Sequence, residues 1–184
     1  MNADFSCSSF AAFAIFGRAY PKYTGYSLRS MVRYFTLPEA ERLLPRVERC
    51  LREALSHRSD ALKANEELEA ASARIRMAGG VRVNPGSLLA TRARRDVSEA
   101  AMKEALEQIE QTGAVVKDLD LGLIDFMSRF QDRDVCLCWK LGEKGIAFWH
   151  GADEGFRGRK PIDREFIDGH SCNKSPGGSP ERVN

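Results

Sequence analysis

The spacing of apolar residues changes once along this chain of 184 residues, at Gly113, and that change restricts the fold more than any other feature. Before Gly113, apolar residues recur every three or four positions, which is typical of amphipathic helices. After Gly113, short segments alternate apolar and polar residues, which is typical of strands with one buried face. The sequence therefore predicts an α+β domain in which a long antiparallel helical hairpin is followed by a small antiparallel β-meander.

Both predicted helices begin at recognisable capping residues. Thr36 and Glu39 have the spacing of a capping box, in which each side chain hydrogen-bonds the backbone of the other residue. Asn84 followed by Pro85 has the residue types preferred at an N-cap and at the first helical position. A short loop containing glycine separates the two helical patterns, so we expect the helices to lie antiparallel.

Two further details of the helices are predicted from individual positions. Pro45 lies inside the first helical pattern and removes one backbone donor, so we expect a kink there or a first helix that ends near Leu44. In the second helix, the apolar spacing predicts a buried face made of Val97, Ala101, Met102, Ala105, Leu106 and Ile109.

The alternating region divides into four short strands. They are predicted at residues 114–117, 121–127, 135–141 and 146–150. Every connection between them is short, so the strands should form an antiparallel meander with one face on the helices.

Composition divides the chain into three parts. Residues 1–33 contain one acidic side chain, Asp4, and are predicted to be a disordered extension. Met31 is a natural start, so the preceding residues are interpreted as upstream sequence with a mis-assigned start. Residues 34–162 are predicted to form the single α+β domain. Residues 163–184 are rich in Gly, Ser, Pro and Asn and are predicted to be a disordered tail.

Charge and cysteine content exclude several classes of protein. The net charge is only +2 and the charges are evenly spread, whereas nucleic-acid binding usually needs a basic patch, so we predict no nucleic-acid partner. The five cysteines are an odd number without a disulfide framework, which favours a reducing, cytoplasmic setting. No apolar run approaches the roughly 20 residues that span a bilayer, so we predict no membrane partner.

Several motifs carry a resemblance to a known family. They are Phe35-Thr36-Leu37-x-Glu39-Ala40, Leu43-Leu44-Pro45, Val116-Lys117-Asp118-Leu119-Asp120-x-Gly122-Leu123-Ile124-Asp125-Phe126, Leu137-Cys138-Trp139-x-Leu141-Gly142-Glu143, Trp149-His150 and Gly155-Phe156-x-Gly158-Arg159. On these motifs, the span from about Phe35 to Ile162 resembles an uncharacterised bacterial family, domain of unknown function 2203. The resemblance implies a shared fold over that span. The family has no established activity, so the resemblance implies no reaction, cofactor or partner.

Two cysteines and a histidine are the candidate metal ligands. Cys136 and Cys138 lie two residues apart in a predicted strand and therefore on one face of it. With His150 from the next strand they would supply three ligands of the kind that zinc prefers. Whether they meet depends on the register of the hairpin, because a shift of one residue turns every side chain to the other face.

Two registers are possible for this hairpin. A two- or four-residue turn pairs Trp139 with Phe148 and places the cysteines on the face away from His150. A three-residue turn with Gly145 in a left-handed conformation places Cys138 opposite His150 instead. The first register is favoured because it gathers the apolar residues of both strands on one face. The second is favoured by the residue types in the turn. Buried, inert thiols are the usual fate of cysteine, so we predict no metal and no cofactor.

The remaining candidate site is a set of polar residues in and around the predicted sheet: Asp118, Asp120, Asp125, His150, Arg157 and Arg159. Carboxylates near a histidine could bind a cation or perform acid–base chemistry, and the arginines could bind an anion. The structural alternative is that Asp118 and Asp120 cap turns, and that Arg159 forms an ion pair with one of the aspartates.

Two functions of different classes remain. The first is a non-enzymatic protein-interaction or structural module. Its support is the polar residues Arg58, Asn65 and Ser72, which weaken the apolar seam of the first helix and leave a surface for a protein partner or a homodimer. The alternative is a small enzyme or an anion- or metal-binding protein, with its polar site at the end of the sheet.

Overall fold

Two long helices come first along the chain and a five-stranded sheet follows them. The computed structural model describes residues 33–77 and 84–170, so the rest of the predicted extension and the end of the predicted tail lie outside the described residues. The elements are α1 (Leu37–Met77), α2 (Pro85–Glu110), β1 (Val115–Asp118), β2 (Leu123–Phe130), β3 (Arg133–Lys140), β4 (Phe148–Gly151), a single 3-10 turn (Phe156–Gly158), β5 (Lys160–Pro161) and α3 (Arg164–Gly169). This order confirms the predicted α+β class.

The predicted caps are confirmed at both helix starts. The Glu39 carboxylate accepts the Thr36 backbone N–H at 2.8 Å, and the Thr36 hydroxyl accepts the Glu39 backbone N–H at 3.3 Å. The hydrogen bonds from Thr36 hold the pKa of Glu39 below its ordinary value. At α2, the Asn84 side chain accepts the backbone N–H of Gly86 at 3.0 Å, and Pro85 is the first helical residue.

The expectation that the first helix ends near Leu44 is wrong. Helix α1 continues through Pro45 for 41 residues. Pro45 cannot donate to the carbonyl of Glu41, one turn earlier. Both residues are exposed, so water can satisfy that carbonyl and the helix tolerates the missing bond.

The two helices lie antiparallel. The Arg94 guanidinium is 2.5 Å from the Glu67 carboxylate in one half of the hairpin, and the Cys50 thiol is 3.6 Å from the Gln108 side chain in the other half. No helix of the described residues is long and apolar enough to span a membrane.

The predicted buried face of α2 is wrong at Val97, which is 68% exposed. The inward positions follow a spacing of four, three and four residues: Ser98, Met102, Ala105 and Ile109. Val97 precedes Ser98, so it is rotated by about 100° from this seam. Small residues such as Ser98 and Ala105 allow the two backbones to approach closely. This close packing determines which side of α2 faces α1, so Val97 stays exposed although it is apolar.

The five strands form one antiparallel sheet in the order β1-β2-β3-β4-β5, which confirms the predicted meander and adds a short fifth strand. One face of the sheet packs on the half of the helical hairpin that contains the start of α1 and the end of α2. That core consists mainly of Leu44, Val47, Leu51, Ile109, Ile124, Phe126, Leu137 and Trp139, all buried.

The prediction that the chain is disordered from residue 163 onward is wrong for the first residues of that segment, which form α3. The Asp163 carboxylate caps this helix by accepting the Phe166 backbone N–H at 2.9 Å. Phe166 is 1% exposed and stacks on Phe130 and Trp149, with ring centroids 4.9 Å apart in each pair. The ordered domain therefore continues beyond Ile162, because one aromatic side chain completes its core.

Truncation of Phe166 tests this boundary. We expect Phe166→Ala to lower the free energy of unfolding by about 3–5 kcal/mol, since it removes a buried ring from the core. Ile167→Ala is the matched control, because Ile167 is in the same helix but 57% exposed, and its effect should stay within about 0.5 kcal/mol. Urea unfolding of both variants measures the difference. Equal effects would show that α3 does not belong to the core.

Candidate metal centre

The pairing of β3 with β4 decides which side chains can meet. Cys136 lies opposite His150, and Cys138 lies opposite Phe148. Both predicted registers are therefore wrong, the first by one residue and the second by two. A displacement of two residues preserves the faces, so the cysteines and His150 do share a face, as in the second register.

A wide loop at residues 141–147 accounts for this pairing. The prediction assumed a tight turn, but side-chain hydrogen bonds organise a longer connection here. The Glu143 carboxylate accepts the Lys140 backbone N–H at 2.8 Å, and the Glu143 carbonyl accepts the Trp139 indole N–H at 3.0 Å. Rules for tight turns do not include such bonds, so they gave the wrong register.

Four polar side chains come together on the sheet face that points away from the helices. Asp125 of β2 lies opposite Cys138, and Cys136 of β3 lies opposite His150 of β4. Each is only 1–2% exposed. We call these four residues the polar cluster. One oxygen of Asp125, Sγ of Cys138 and one ring nitrogen of His150 all lie within 4.8 Å of one another.

The imidazole of His150 is held from both sides. Its Nδ1 is 2.8 Å from the carbonyl oxygen of Gly151, and its Nε2 is 3.3 Å from Oδ2 and 3.4 Å from Oδ1 of Asp125. Because a carbonyl only accepts, Nδ1 carries a proton in this geometry. Burial alone would lower the pKa of His150, but the hydrogen bonds to Asp125 and Gly151 outweigh burial and raise it.

The two thiols of the polar cluster are poor nucleophiles. Burial, reinforced by the negative charge of Asp125, raises the pKa of Cys136 and of Cys138 to about 12. A protonated thiol does not attack a substrate. Both nitrogens of His150 already face other groups, so the imidazole is not placed to deprotonate either cysteine. The geometry therefore does not support a cysteine–histidine catalytic pair.

One oxygen of the polar cluster lies within ion-pair distance of His150 but makes no hydrogen bond. Asp125 Oδ2 is buried and makes no hydrogen bond within the part of the chain that the structure describes. A buried acceptor left without a hydrogen bond usually costs about 1–3 kcal/mol, and more when the group is charged. This oxygen lies on the side of the carboxylate that faces His150 Nε2.

Three of the predicted site residues lie outside the polar cluster. The Asp118 side chain accepts the Leu121 backbone N–H at 2.9 Å, which is the turn-capping alternative. The Asp120 carboxylate forms an ion pair with Arg58 of α1. Arg157 is exposed in the 3-10 turn. None of the three belongs to the polar cluster, so the predicted set does not converge as a whole.

Arg159 borders the polar cluster and forms its ion pair with a glutamate, so the expected aspartate partner is wrong. Its guanidinium donates to both carboxylate oxygens of Glu143, at 2.8 and 2.7 Å, and to the Cys138 carbonyl at 3.1 Å. It also lies 4.2 Å from the centroid of the Phe148 ring. These contacts attach the segment after β4 to β3, beside the polar cluster.

Sequence reasoning named Asp125 as a candidate near His150 but did not place it beside the two cysteines. The missing information was the register of β2 with β3. A two-residue turn at Gln131 and Asp132, both with positive φ, places Asp125 opposite Cys138. Such turns usually contain Asn or Gly, so Gln131 gave little signal.

The fold and this site define a class: an α+β domain whose sheet buries an aspartate, a histidine and two cysteines on the face opposite the helices. The chain belongs to the family described as uncharacterized conserved protein (DUF2203), whose model matches residues 33–162. This match confirms the family resemblance and includes the whole polar cluster. No curated protein and no solved structure matches the chain.

The pair Glu143–Arg159 gives a pH prediction. Burial opposes ionisation of Glu143, but the hydrogen bonds from Arg159 and the Lys140 N–H outweigh it and hold the pKa of Glu143 below its ordinary value of 4.5. The stability that this carboxylate contributes is therefore present above pH 4.5 and is lost as the pH falls through the folded-state pKa.

We expect Glu143→Gln to be less stable than wild type at neutral pH, with a difference that shrinks as the pH falls below about 4.5. Denaturant unfolding of both proteins across this range measures the difference. Glu165→Gln, at an exposed position of α3, is the control and should show a small and constant difference. A difference for Glu143→Gln that does not change with pH would contradict the prediction.

Proposed function

We propose that this protein binds one zinc ion through Asp125, Cys138 and His150, and that the ion has a structural, non-enzymatic role. The observation that carries the proposal is the buried Asp125 oxygen without a hydrogen bond, in a carboxylate that shares its site with a thiol and an imidazole. An ion at the centre of these three groups gives that oxygen its partner.

The chemistry of the ligands favours zinc. Thiolate, imidazole and carboxylate are its three usual protein ligands. Hard cations such as Mg²⁺ and Ca²⁺ prefer oxygen ligands alone, so Cys138 and His150 disfavour them. The hydrogen bond from His150 Nδ1 to the Gly151 carbonyl directs Nε2 toward the ligand set, which is the usual outer-shell support of a metal-bound histidine.

The separations of the ligand atoms suit an ion after a small adjustment. Zinc–ligand bonds of about 2.0–2.3 Å in a tetrahedron put neighbouring ligand atoms about 3.3–3.8 Å apart. The three ligand atoms already lie within 4.8 Å of one another. A contraction of about 1 Å, which side-chain rotation supplies, is enough to close the site.

Burial supports a structural ion over a catalytic one. A catalytic zinc keeps one coordination position open to water and substrate, whereas the whole polar cluster is 1–2% exposed. Cys136 lies beside this set, opposite His150, and is the proposed fourth ligand. Its thiol makes a weak contact of 3.6 Å with the Met127 sulfur. A closed site of this kind would link β2, β3 and β4. A reducing, cytoplasmic setting would keep both thiols available.

The competing account is a buried aspartate–histidine ion pair beside two inert thiols. That arrangement satisfies His150 but leaves Asp125 Oδ2 without a hydrogen bond. It also gives no role to the position of Cys138 within reach of both partners. The two accounts differ in metal content, which can be measured directly.

Elemental analysis of the purified full chain is the first test. We expect about one zinc per chain, and a lower melting temperature after removal of the ion by a chelator. An ion at a free concentration 100 times its dissociation constant contributes about 2.7 kcal/mol to stability. Metal-free protein that neither takes up zinc nor changes its melting temperature with zinc would overturn the proposal.

Cobalt substitution then tests the ligands. Cobalt bound to thiolate gives a charge-transfer band, which we expect to be about halved in Cys136→Ser and in Cys138→Ser, because each removes one of two thiolates. Cys50→Ser is the matched control, since Cys50 is also buried but contacts Gln108 in the hairpin, and the band should persist there. A band that depends on Cys50 would place the ion elsewhere.

A further inference from the structure

We infer that Cys136 and Met127 form a second metal site, which binds a cuprous ion between a thiolate and a thioether. The two residues lie directly opposite each other in the pairing of β2 with β3. The Cys136 thiol donates to the Met127 sulfur, with Sγ and Sδ 3.6 Å apart. We call these two residues the sulfur pair. It borders the proposed zinc ligands and shares only Cys136 with them.

Met127 lies on the polar side of its strand. Side chains alternate along β2, so Met127 shares the outer face of the sheet with Asp125 and Arg129. Its thioether therefore contacts the polar cluster and not the apolar core between the sheet and the helices. The backbone is fixed at this point, because the Met127 carbonyl accepts the Phe35 N–H at 2.8 Å.

The separation of the two sulfurs suits a single ion. Metal–sulfur bonds of about 2.3 Å allow two sulfurs on one ion to lie up to about 4.6 Å apart. The distance of 3.6 Å between Sγ and Sδ is within this limit, so an ion can bind both without a shift of either strand. Simple packing of two sulfurs gives a similar distance, and the two accounts differ in whether the pair takes up an ion.

The thioether identifies the class of ion. Zinc is held by thiolate, imidazole and carboxylate, and methionine is not among its usual ligands. Hard cations such as Mg²⁺ and Ca²⁺ prefer oxygen ligands. Thiolate and thioether are soft ligands, and together they select cuprous copper. Met127 therefore distinguishes the sulfur pair from the zinc ligands beside it.

Charge and burial favour a monovalent ion. Cys136 is 2% exposed, and a net charge is costly to bury. A cuprous ion with one thiolate is neutral, whereas a divalent ion on the same two ligands leaves a positive charge. On binding, the Cys136 thiol loses its proton to solvent and the sulfur–hydrogen bond is replaced by a sulfur–copper bond. The copper stays cuprous, so the step needs no oxidant or reductant.

Met127 also gives the ion a route into the site. The members of the polar cluster are only 1–2% exposed, whereas Met127 is half-buried. An ion arriving from solvent can therefore reach the thioether first and the Cys136 thiol second.

Transfer of Cu(I) from the coloured chelator bathocuproine disulfonate tests the inference. The full chain is titrated without oxygen, both as purified and after removal of zinc. Met127→Leu removes the sulfur at nearly constant side-chain volume, so we expect the copper affinity to fall at least tenfold. Met102→Leu is the matched control, because Met102 is 8% exposed in the helical hairpin and should not affect copper binding.

Two cysteine variants locate the ion. Cys136→Ser should abolish copper binding, because it removes the thiolate. Cys138→Ser is the control, since Cys138 is 1% exposed on the same face of β3 and should leave the copper affinity unchanged. X-ray absorption at the copper edge counts the sulfur ligands and should show one fewer in Met127→Leu. Circular dichroism verifies that each variant is folded.

Three results would overturn the inference. The first is no transfer of copper to either form of the protein. The second is a copper affinity and a sulfur count that Met127→Leu does not change. The third is copper binding that depends on Cys138 and not on Cys136, which places the ion among the zinc ligands.

The outcome is independent of the zinc proposal. Zinc content should be the same in Met127→Leu and wild type, because the thioether is not a zinc ligand. Protein that takes up copper through the sulfur pair but neither contains nor binds zinc would contradict the zinc proposal alone. Protein that binds zinc and takes up no copper would contradict the copper site alone.

Discussion

Strands β2 and β3 are buried on both faces along their central parts, and His150 of the neighbouring β4 is buried with them, although the two long helices cover only one face of the sheet. Closure of the second face is the constraint on which the rest of the structure depends. On the helix face, burial is apolar, with Phe126, Leu137 and Trp139 in one continuous core. On the other face the same strands present the polar cluster. A sheet covered by helices on one side usually exposes its polar residues to water, so their burial here needs its own explanation.

The polar cluster is buried because its members contact one another and because the segment after β4 is attached beside it. Arg159 supplies that attachment through Glu143 and the Cys138 carbonyl. The balance is incomplete, since a buried carboxylate loses its hydration and the hydrogen bond to His150 replaces only part of it. A positive ion among the ligands would supply the missing stabilisation and would also account for the thiol beside the carboxylate. The zinc proposal thus follows from the energetics of closing this face.

Local signals predicted the elements of this fold well, and long-range contacts explain the errors. Capping at Thr36 and Asn84 depends on residues within three positions, so the sequence was sufficient there. The register of β3 with β4 depends on the loop after β3, where Glu143 bonds the end of β3 and also Arg159, 16 positions further along the chain. The burial of Phe166 depends on aromatic partners from two distant strands. Neither pattern is visible in a short window of sequence.

In the candidate site, too, local signals were predicted correctly and long-range contacts were not. The face shared by Cys136 and Cys138 follows from strand periodicity alone and was predicted. The contribution of Asp125 depends on a turn with unusual residues, and the exclusion of Asp120 depends on an ion pair with a helix 62 positions away. Residue type therefore indicated which side chains could act, and only the register and the tertiary contacts determined which of them meet.

The far part of the helical hairpin is held differently from the part that packs on the sheet. The buried residues of α1 end at Ala64 and those of α2 begin at Ser98, so the far part of the hairpin is held by one helix seam with no sheet behind it. Such a region opens locally at lower cost than the core. An ion bound in the sheet would stabilise the sheet and the helix segments that pack on it, and would leave the far part of the hairpin unchanged.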